Sequence, residues 1–365
     1  MLIFLISFSI AAILGLSYTG LRFWHIMPFP FWVKTVTLSI GLVLFLSLFV
    51  FFIWEEKLPL WLSKTIYTLS TAWLIILLYL IILFLFLDLL RLFIPAVRPL
   101  LSNSLWGTLA VIMVMCGIFI YGNIKYHHKV RIPLEIQLRK TLENPIKIVA
   151  ISDLHLGYTI GKKELKKWVN MINAEKPDII LIGGDIVDNS VRPLLKNKMY
   201  EELNKLHAPL GVYACLGNHE YIGGEVKHQN FLKRTNIRIL KDEALLVNNA
   251  FYIVGRDDKM NRNRKSLADI IGGIDKSKPV LLLDHQPYHL DEAESANIDF
   301  QFSGHTHNGQ IFPGNLLTKK IYEKSHGYHR KGQTQYYISS GIGIWGGKFR
   351  IGTQSEYLCM TIKGK

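Results

Sequence analysis

Two architectures in series are predicted. An all-α, multi-span transmembrane region occupies residues 1 to 124, and an α/β layered domain occupies 146 to 365, with a basic connector and first strand over 125 to 145 between them. Three observations carry this. Four long, nearly uncharged apolar runs fill the first third of the chain. Beyond them, short apolar segments repeatedly end in polar loops that carry Asp, Asn or His. The formal charge of +14 is concentrated after the apolar runs. Hydrophobicity spread this unevenly excludes a single soluble fold.

The apolar runs are Leu2 to Tyr18, Phe31 to Trp54, Ile66 to about Ile94, and Leu105 to Tyr121. Each approaches the roughly 20 residues that cross a bilayer core, the first and last being shortest. Four spans are therefore expected, in a multi-pass cell-membrane protein. The first run lacks the basic start and small-residue cleavage site of a secretory signal. Trp24, Trp32, Trp54, Trp61 and Trp106 fall near run ends, where amphipathic rings sit at headgroup level. Asp88, the sole acidic residue inside a run, is expected to pair with Arg91 on the same helical face. An even number of spans puts the N-terminus and the later domain on one side. Lys57, Lys64, Lys125, Lys129 and Arg131 mark that side and Arg22, Lys34, Arg91 and Arg98 the other, a narrow bias toward a cytoplasmic domain. Cys116, Cys215 and Cys359 lie in apolar stretches and form no disulfide framework.

A basic stretch runs from Lys125 to Lys167. Tethered beside a bilayer, it is attracted to anionic headgroups by about 1 kcal/mol per basic residue at the surface. The membrane lipid bilayer is thus an expected partner. Nucleic acid, the rival polyanion, is not expected, because a DNA-cutting enzyme gains little from four spans. Ile132 to Leu138 alternates as a strand does. Apolar runs at Ile146–Ile151, Ile179–Ile182, Val212–Leu216 and Val280–Leu283 each end just before Asp153, Asp185, Asn218 or His285. Leu165 to Ala174 has helical spacing, and Gln335 to Ser339 and Leu358 to Ile362 read as late strands. Strand, ligand-bearing loop and helix in repetition place the chemistry on one rim of the sheets.

Five clusters lie on those rims: Asp153-Leu154-His155, Gly184-Asp185, Gly217-Asn218-His219-Glu220, His285 and Gly304-His305-Thr306-His307. Together they supply carboxylate, amide and imidazole groups for two divalent cations. Such a pair generates hydroxide near neutral pH and clamps both oxygens of a phosphoryl displacement. In order and spacing, the blocks Asp-x-His, Gly-Asp-x-x-Asp, Gly-Asn-His-Glu and Gly-His-x-His resemble the calcineurin-like metallophosphoesterases, over roughly residues 130 to 365. Ser152–Gly157 and Gly304–Gln310 look like the membrane-associated bacterial branch, which includes UDP-2,3-diacylglucosamine pyrophosphatases.

The resemblance implies a four-layer α/β/β/α metallophosphoesterase sandwich. It also implies a ligand set: Asp153, His155, Asp185 and His307 for one metal, and Asp185, Asn218, His285 and His305 for the other. Two carboxylates against two divalent cations leave a charge of about +2, which attracts a phosphate. The mixed nitrogen and oxygen donors predict transition metals, manganese foremost, with iron, zinc or cobalt as alternatives. His219 follows Asn218 directly and is expected to face the substrate as a proton donor. Asp188 matches the family position that orients this histidine; its structural alternative is a helix cap. His326 and His329, in a basic loop with Lys319, Lys320, Lys324, Arg330 and Lys331, leave open a contact with the rest of the substrate. Residues 256 to 265 are polar and basic and read as a mobile loop.

The function expected is a membrane-bound, dinuclear-metal hydrolase of a phosphodiester or pyrophosphate bond, in a lipid-linked or nucleotide-linked substrate. A protein phosphatase is disfavoured, because Leu216 precedes Gly217-Asn218-His219-Glu220 where those enzymes carry a phosphate-clamping arginine. A nuclease and a non-enzymatic membrane scaffold are the remaining alternatives. The scaffold conflicts with a ligand set in which no position is lost.

Overall fold

The structure, a computed structural model, describes residues 2–365, with side chains from Ile10 onward. The chain divides into two compact units. One runs to Gly122 and includes Gly346–Lys348; the other comprises Asn123–Trp345 and Phe349–Lys365.

The first unit is helical: α1 (Leu2–Ile26), α2 (Phe31–Trp54), α3 (Leu60–Phe93) and α4 (Leu105–His127), of which the last turn falls in the second unit. Pro30 and Pro59 stand at the N-caps of α2 and α3, where a missing N–H costs nothing. Pro95 disfavours helical backbone at Ile94, and α3 stops at Phe93. Among the described residues, α2, α3 and α4 are long and apolar enough to cross a membrane. The expected first span falls in α1, and the side chains of its first nine residues lie outside the described ones. Asp88 does reach Arg91, at 3.4 Å. Its closest cation is nevertheless Arg22 of α1 at 2.6 Å, and Tyr18 donates a hydrogen bond to it at 2.6 Å. Heptad-like spacing within α3 could not anticipate a partner from another helix.

The second unit holds two six-stranded sheets. In one the order is β1 (Lys129–Gln137), β12 (Ser355–Lys363), β2 (Ile146–Ile151), β3 (Ile179–Gly183), β4 (Val212–Cys215), β5 (Arg238–Ile239). In the other it is β10 (Gly327–Lys331), β11 (Thr334–Ile338), β9 (Phe300–Ser303), β8 (Val280–Leu283), β7 (Phe251–Gly255), β6 (Glu243–Val247). Within each sheet the neighbouring pairs β2–β3, β3–β4, β7–β8 and β8–β9 are parallel.

Burial follows the strand period of two. Ile148, Ala150, Ile179 and Leu181 face the space between the sheets, where they meet Phe251, Ile253, Leu281, Leu283, Phe300 and Phe302. Their neighbours Val149, Ile151, Ile180 and Ile182 face outward, against Leu165, Trp168, Val169 and Ile172 of α5 (Lys162–Ala174). Both faces are covered, so these strands are apolar without interruption. On the far side, Val254, Val280, Leu282, Tyr336 and Ile338 pack with Leu267, Ile270, Leu290 and Ala293 from two short helices. The layers are thus helix, sheet, sheet, helix. Tyr126, in the last turn of α4, is wholly buried in the α5-side core and hydrogen-bonds Glu164. β1 begins at Lys129, ahead of the Ile132 start expected for the first strand, and takes up part of the 125 to 145 stretch expected to hold connector and strand.

Candidate metal centre

The parallel central strands of both sheets deliver their C-terminal ends to one place. β2 ends before Asp153 and His155, β3 before Asp185, β4 before Asn218 and His219, β8 before His285, and β9 before His305 and His307. The chain must turn sharply at each end to aim a side chain inward. Asp153, Asp185, His155, His305 and His307 accordingly all adopt positive φ, between 45° and 68°. Left-handed backbone costs a residue with a Cβ of order 1–3 kcal/mol, and it gathers at functional sites. Close approach is needed too: a Cβ on Gly217 would lie 2.1 Å from Asp185 Oδ1, and one on Gly304 2.3 Å from Asp153 Oδ2.

The donor atoms converge. His155 Nε2 and His307 Nε2 lie 3.0 Å apart, with Asp153 Oδ1 3.4 Å from the latter and Asp185 Oδ2 3.6 Å from the former. On the other side, His285 Nδ1 donates to Gly183 O at 2.6 Å, which leaves Nε2 directed at Asp185 Oδ2 and Asn218 Oδ1, each 3.2 Å away. His305 Nδ1 stands 2.7 Å from the same Asn218 oxygen. Lone pairs of nitrogen and oxygen that point at one another in a buried site repel unless a proton or a metal ion lies among them. Asp153 Oδ2 is buried with no hydrogen-bond partner. Ligand atoms of Asp153, His155 and His307 fall within 4.8 Å of one another, and so do those of Asp185, His285 and His305. The residues present therefore fit two divalent cations that share Asp185.

Electrostatics agree with the geometry. Burial raises the Asp153 carboxyl above its ordinary range. Asp185 is just as buried, yet His285 and His219 hold it well below that range. The Asp185 charge in turn overrides burial and raises His285. Burial lowers His305 to about 3 and holds His307 well below the histidine range, keeping both imidazoles neutral, the form that ligates.

His219 Nδ1 lies 3.0 Å from Asp188 Oδ1, and the same oxygen is 3.6 Å from His155 Nδ1. Asp188 thus sits behind a candidate ligand as well as behind the candidate acid. Burial alone would lower His219, but Asp185 and Asp188 raise it to about 9. His219 also comes within metal-binding reach of His155 and Asp185. Its Nδ1 faces a carboxylate, so the proton is held on that nitrogen and Nε2 is left for an outside group.

Three further features have contacts at the site that the motifs alone did not assign. Glu220 accepts hydrogen bonds from the backbone of Asp185, Val187 and Gly217, at 3.1, 2.9 and 2.7 Å, tying two ligand loops together. Burial and then Asp185 raise it to about 7. Arg350 is wholly buried, lowered to about 10 by that burial, and donates to the carbonyls of His307 and Gly343 at 2.8 Å and to that of Ser340. It stands 43 residues from His307 in the chain, with no motif around it. Finally, Tyr288 and Tyr322 join hydroxyls at 2.9 Å beside His305, and Lys259 lies 4.1 Å over the Tyr288 ring.

Two expectations change. The 256 to 265 segment is pinned at its start: Arg256, Asp257 and Asp258 are buried, Asp257 accepts from Tyr221 and Asn261, and Asp258 accepts from Gln286 at 2.8 Å. Its polar composition reflects an internal ion network. His326 lies 3.0 Å from the buried Glu356, and His329 lies 3.5 Å from Glu323, so both have carboxylate partners within the fold.

Residues 146–309 match the family described as calcineurin-like phosphoesterase. A metallophosphoesterase of Aquifex aeolicus is 34% identical over 227 residues, covering 60% of this chain and 86% of that protein. One from Campylobacter jejuni is 35% identical over 230 residues, 61% of each. A zebrafish protein, "Transmembrane protein with metallophosphoesterase domain", is 27% identical over 361 residues, covering 92% of this chain and 82% of that protein. The chain spans about six tenths of the length of its Campylobacter and Helicobacter relatives. The convergent donor set, the two-sheet fold that builds it and these relatives have one reading: the chain belongs to the calcineurin-like phosphoesterase family.

Proposed function

We propose that the protein is a membrane-bound, dinuclear-metal phosphoesterase that cleaves a phosphodiester or pyrophosphate bond, in a lipid-linked or nucleotide-linked substrate. The observation that carries the reading is the facing of His155 and His307 at 3.0 Å beside the shared Asp185. Asp153, His155, Asp185 and His307 would hold one cation, and Asp185, Asn218, His285 and His305 would hold the other. Bound cations supply Lewis acidity toward phosphoryl oxygens and lower the pKa of water toward neutrality. The chain's own residues do the rest. Asp188 holds the proton on His219 Nδ1, and His219 Nε2 donates a proton to the departing oxygen. Asn218 contributes an oxygen without a charge, which keeps the site electropositive toward a phosphate.

Membrane attachment supports a substrate that arrives in the bilayer plane. Four spans are proposed, α1 to α4, with the catalytic unit in the cytoplasm. That unit begins in the last turn of α4. A cysteine placed between residues 55 and 64 should be shielded from an impermeant thiol reagent in intact cells, and one between 96 and 103 labelled. The reverse pattern puts the site outside. The substrate test compares turnover of a lipid-linked diphosphate in mixed micelles with that of its soluble headgroup analogue. Equal turnover of the two sinks the lipid part of the reading and leaves the hydrolase.

A further inference from the structure

The segment that follows the last candidate ligand departs from the burial pattern of every other helix in the catalytic unit. None of the eight residues of the Gly314–Ile321 helix is buried. Leu316, Leu317 and Ile321 are 56%, 60% and 54% exposed, and Phe312, just before the helix, is 45% exposed. Single exposed apolar side chains are ordinary; three on one eight-residue helix, all at more than half exposure, mark an interaction surface.

The helix is nevertheless fixed to the metal centre at both ends. At its start Gly309, at φ +75°, packs so closely that a Cβ there would lie 2.1 Å from the Gly314 carbonyl carbon. Past its end Tyr322 bonds Tyr288 beside His305, and Thr306 donates to Ser325 O at 2.6 Å. The helix therefore braces the loop that presents His305 and His307, and turns its apolar side chains away from it. Helical spacing puts Leu316 and Lys320 on one ridge and Leu317 and Ile321 on the next. Lys319 and Lys320 are exposed, and Lys324 follows.

We propose that the 314–321 helix is an interfacial anchor that lies in the headgroup region of an anionic bilayer and holds the His305–His307 loop against it. Apolar side chains edged by lysines are the composition of helices that lie in a membrane surface, and each lysine there adds attraction to anionic lipid. The same chain carries helices long and apolar enough to cross a bilayer. The inference rests on the proposed membrane attachment but not on any substrate.

The test uses the full chain in nanodiscs, with Cys116 replaced by alanine and an environment-sensitive NBD probe on Leu317→Cys or, as reference, on Lys233→Cys. Lys233 is exposed in the same unit. In discs that contain phosphatidylglycerol and nitroxide-labelled lipid, emission at 317 should shift to the blue and fall at least twofold, while emission at 233 stays unchanged. Equal emission at both positions overturns the proposal. So does a blue shift at 317 that lipid nitroxides fail to quench, the signature of a protein partner or a second copy. Quenching is read without substrate, so an inactive preparation would count against the hydrolase reading alone.

Discussion

The two halves of the metal centre are built to different rules. His155, Asp153 and His307 are sealed: their side chains are at most 6% exposed, and Arg350 and Asp188 support them from behind. The other half borrows a neutral amide from Asn218, locks His285 through Gly183, and leaves His305 partly exposed beside Tyr288 and Tyr322. A closed pocket with a carboxylate holds a cation tightly; an open one with an uncharged oxygen holds it less tightly and lets a substrate oxygen in. The difference predicts tighter metal retention in the first half than in the second, with Asp185 in common.

The largest expected effect comes from the residue they share. Asp185→Asn removes the one charge between two cations, so both metals should be lost and hydrolysis abolished; elemental analysis alongside an assay on bis(p-nitrophenyl) phosphate checks this. One metal retained at full occupancy would show that the halves are independent.

Next is His219→Ala, which should leave metal content near normal while turnover falls by about 10²–10⁴-fold. Metal loss in this variant would move His219 into the ligand set. The pH profile sharpens the point. A donor must be protonated, so turnover falls as pH rises through the His219 pKa. Metal-free, that value is raised to about 9 by Asp185 and Asp188. Cations on Asp185 oppose the raise, so the basic limb should lie below pH 9 and disappear in His219→Ala. Stability of the metal-free protein tests the same shift without catalysis. With the folded value above the unfolded one near 6.5, the His219 contribution is fully present below about pH 6.5 and lost as pH climbs through 9. Denaturant midpoints of the metal-free wild type and His219→Ala should therefore converge at high pH.

Asp188→Asn should be milder, about 10–100-fold in activity or in affinity for the first metal. Because Asp188 faces both His155 and His219, the variant should lower metal affinity in the closed half as well as turnover. A loss of turnover alone would confine Asp188 to the acid.

Much of the catalytic unit was legible because both faces of its central strands are covered. The apolar runs at β2, β3, β4 and β8 stand out without any knowledge of pairing, and the ligand clusters directly follow them. Pairing itself was not legible: β12, from the end of the chain, lies between β1 and β2, and which strands become neighbours depends on contacts between distant segments rather than on any local pattern. Arg350 was invisible for a related reason. Its partners are carbonyls, which every residue possesses, so no side-chain pattern marks them.

In the helical unit the sequence alone determined which segments are helices and where prolines end them, because length, apolarity and missing N–H groups are local properties. Only tertiary structure decided that Asp88 meets Arg22 and Tyr18, and that no residue of the 314–321 helix is buried. The same division holds at the metal centre. Aspartate, asparagine and histidine at strand ends were determined residue by residue. Their convergence within a few ångströms was decided by the stacking of two sheets, because it requires chain segments as far apart as Asp153 and His307 to meet at one rim.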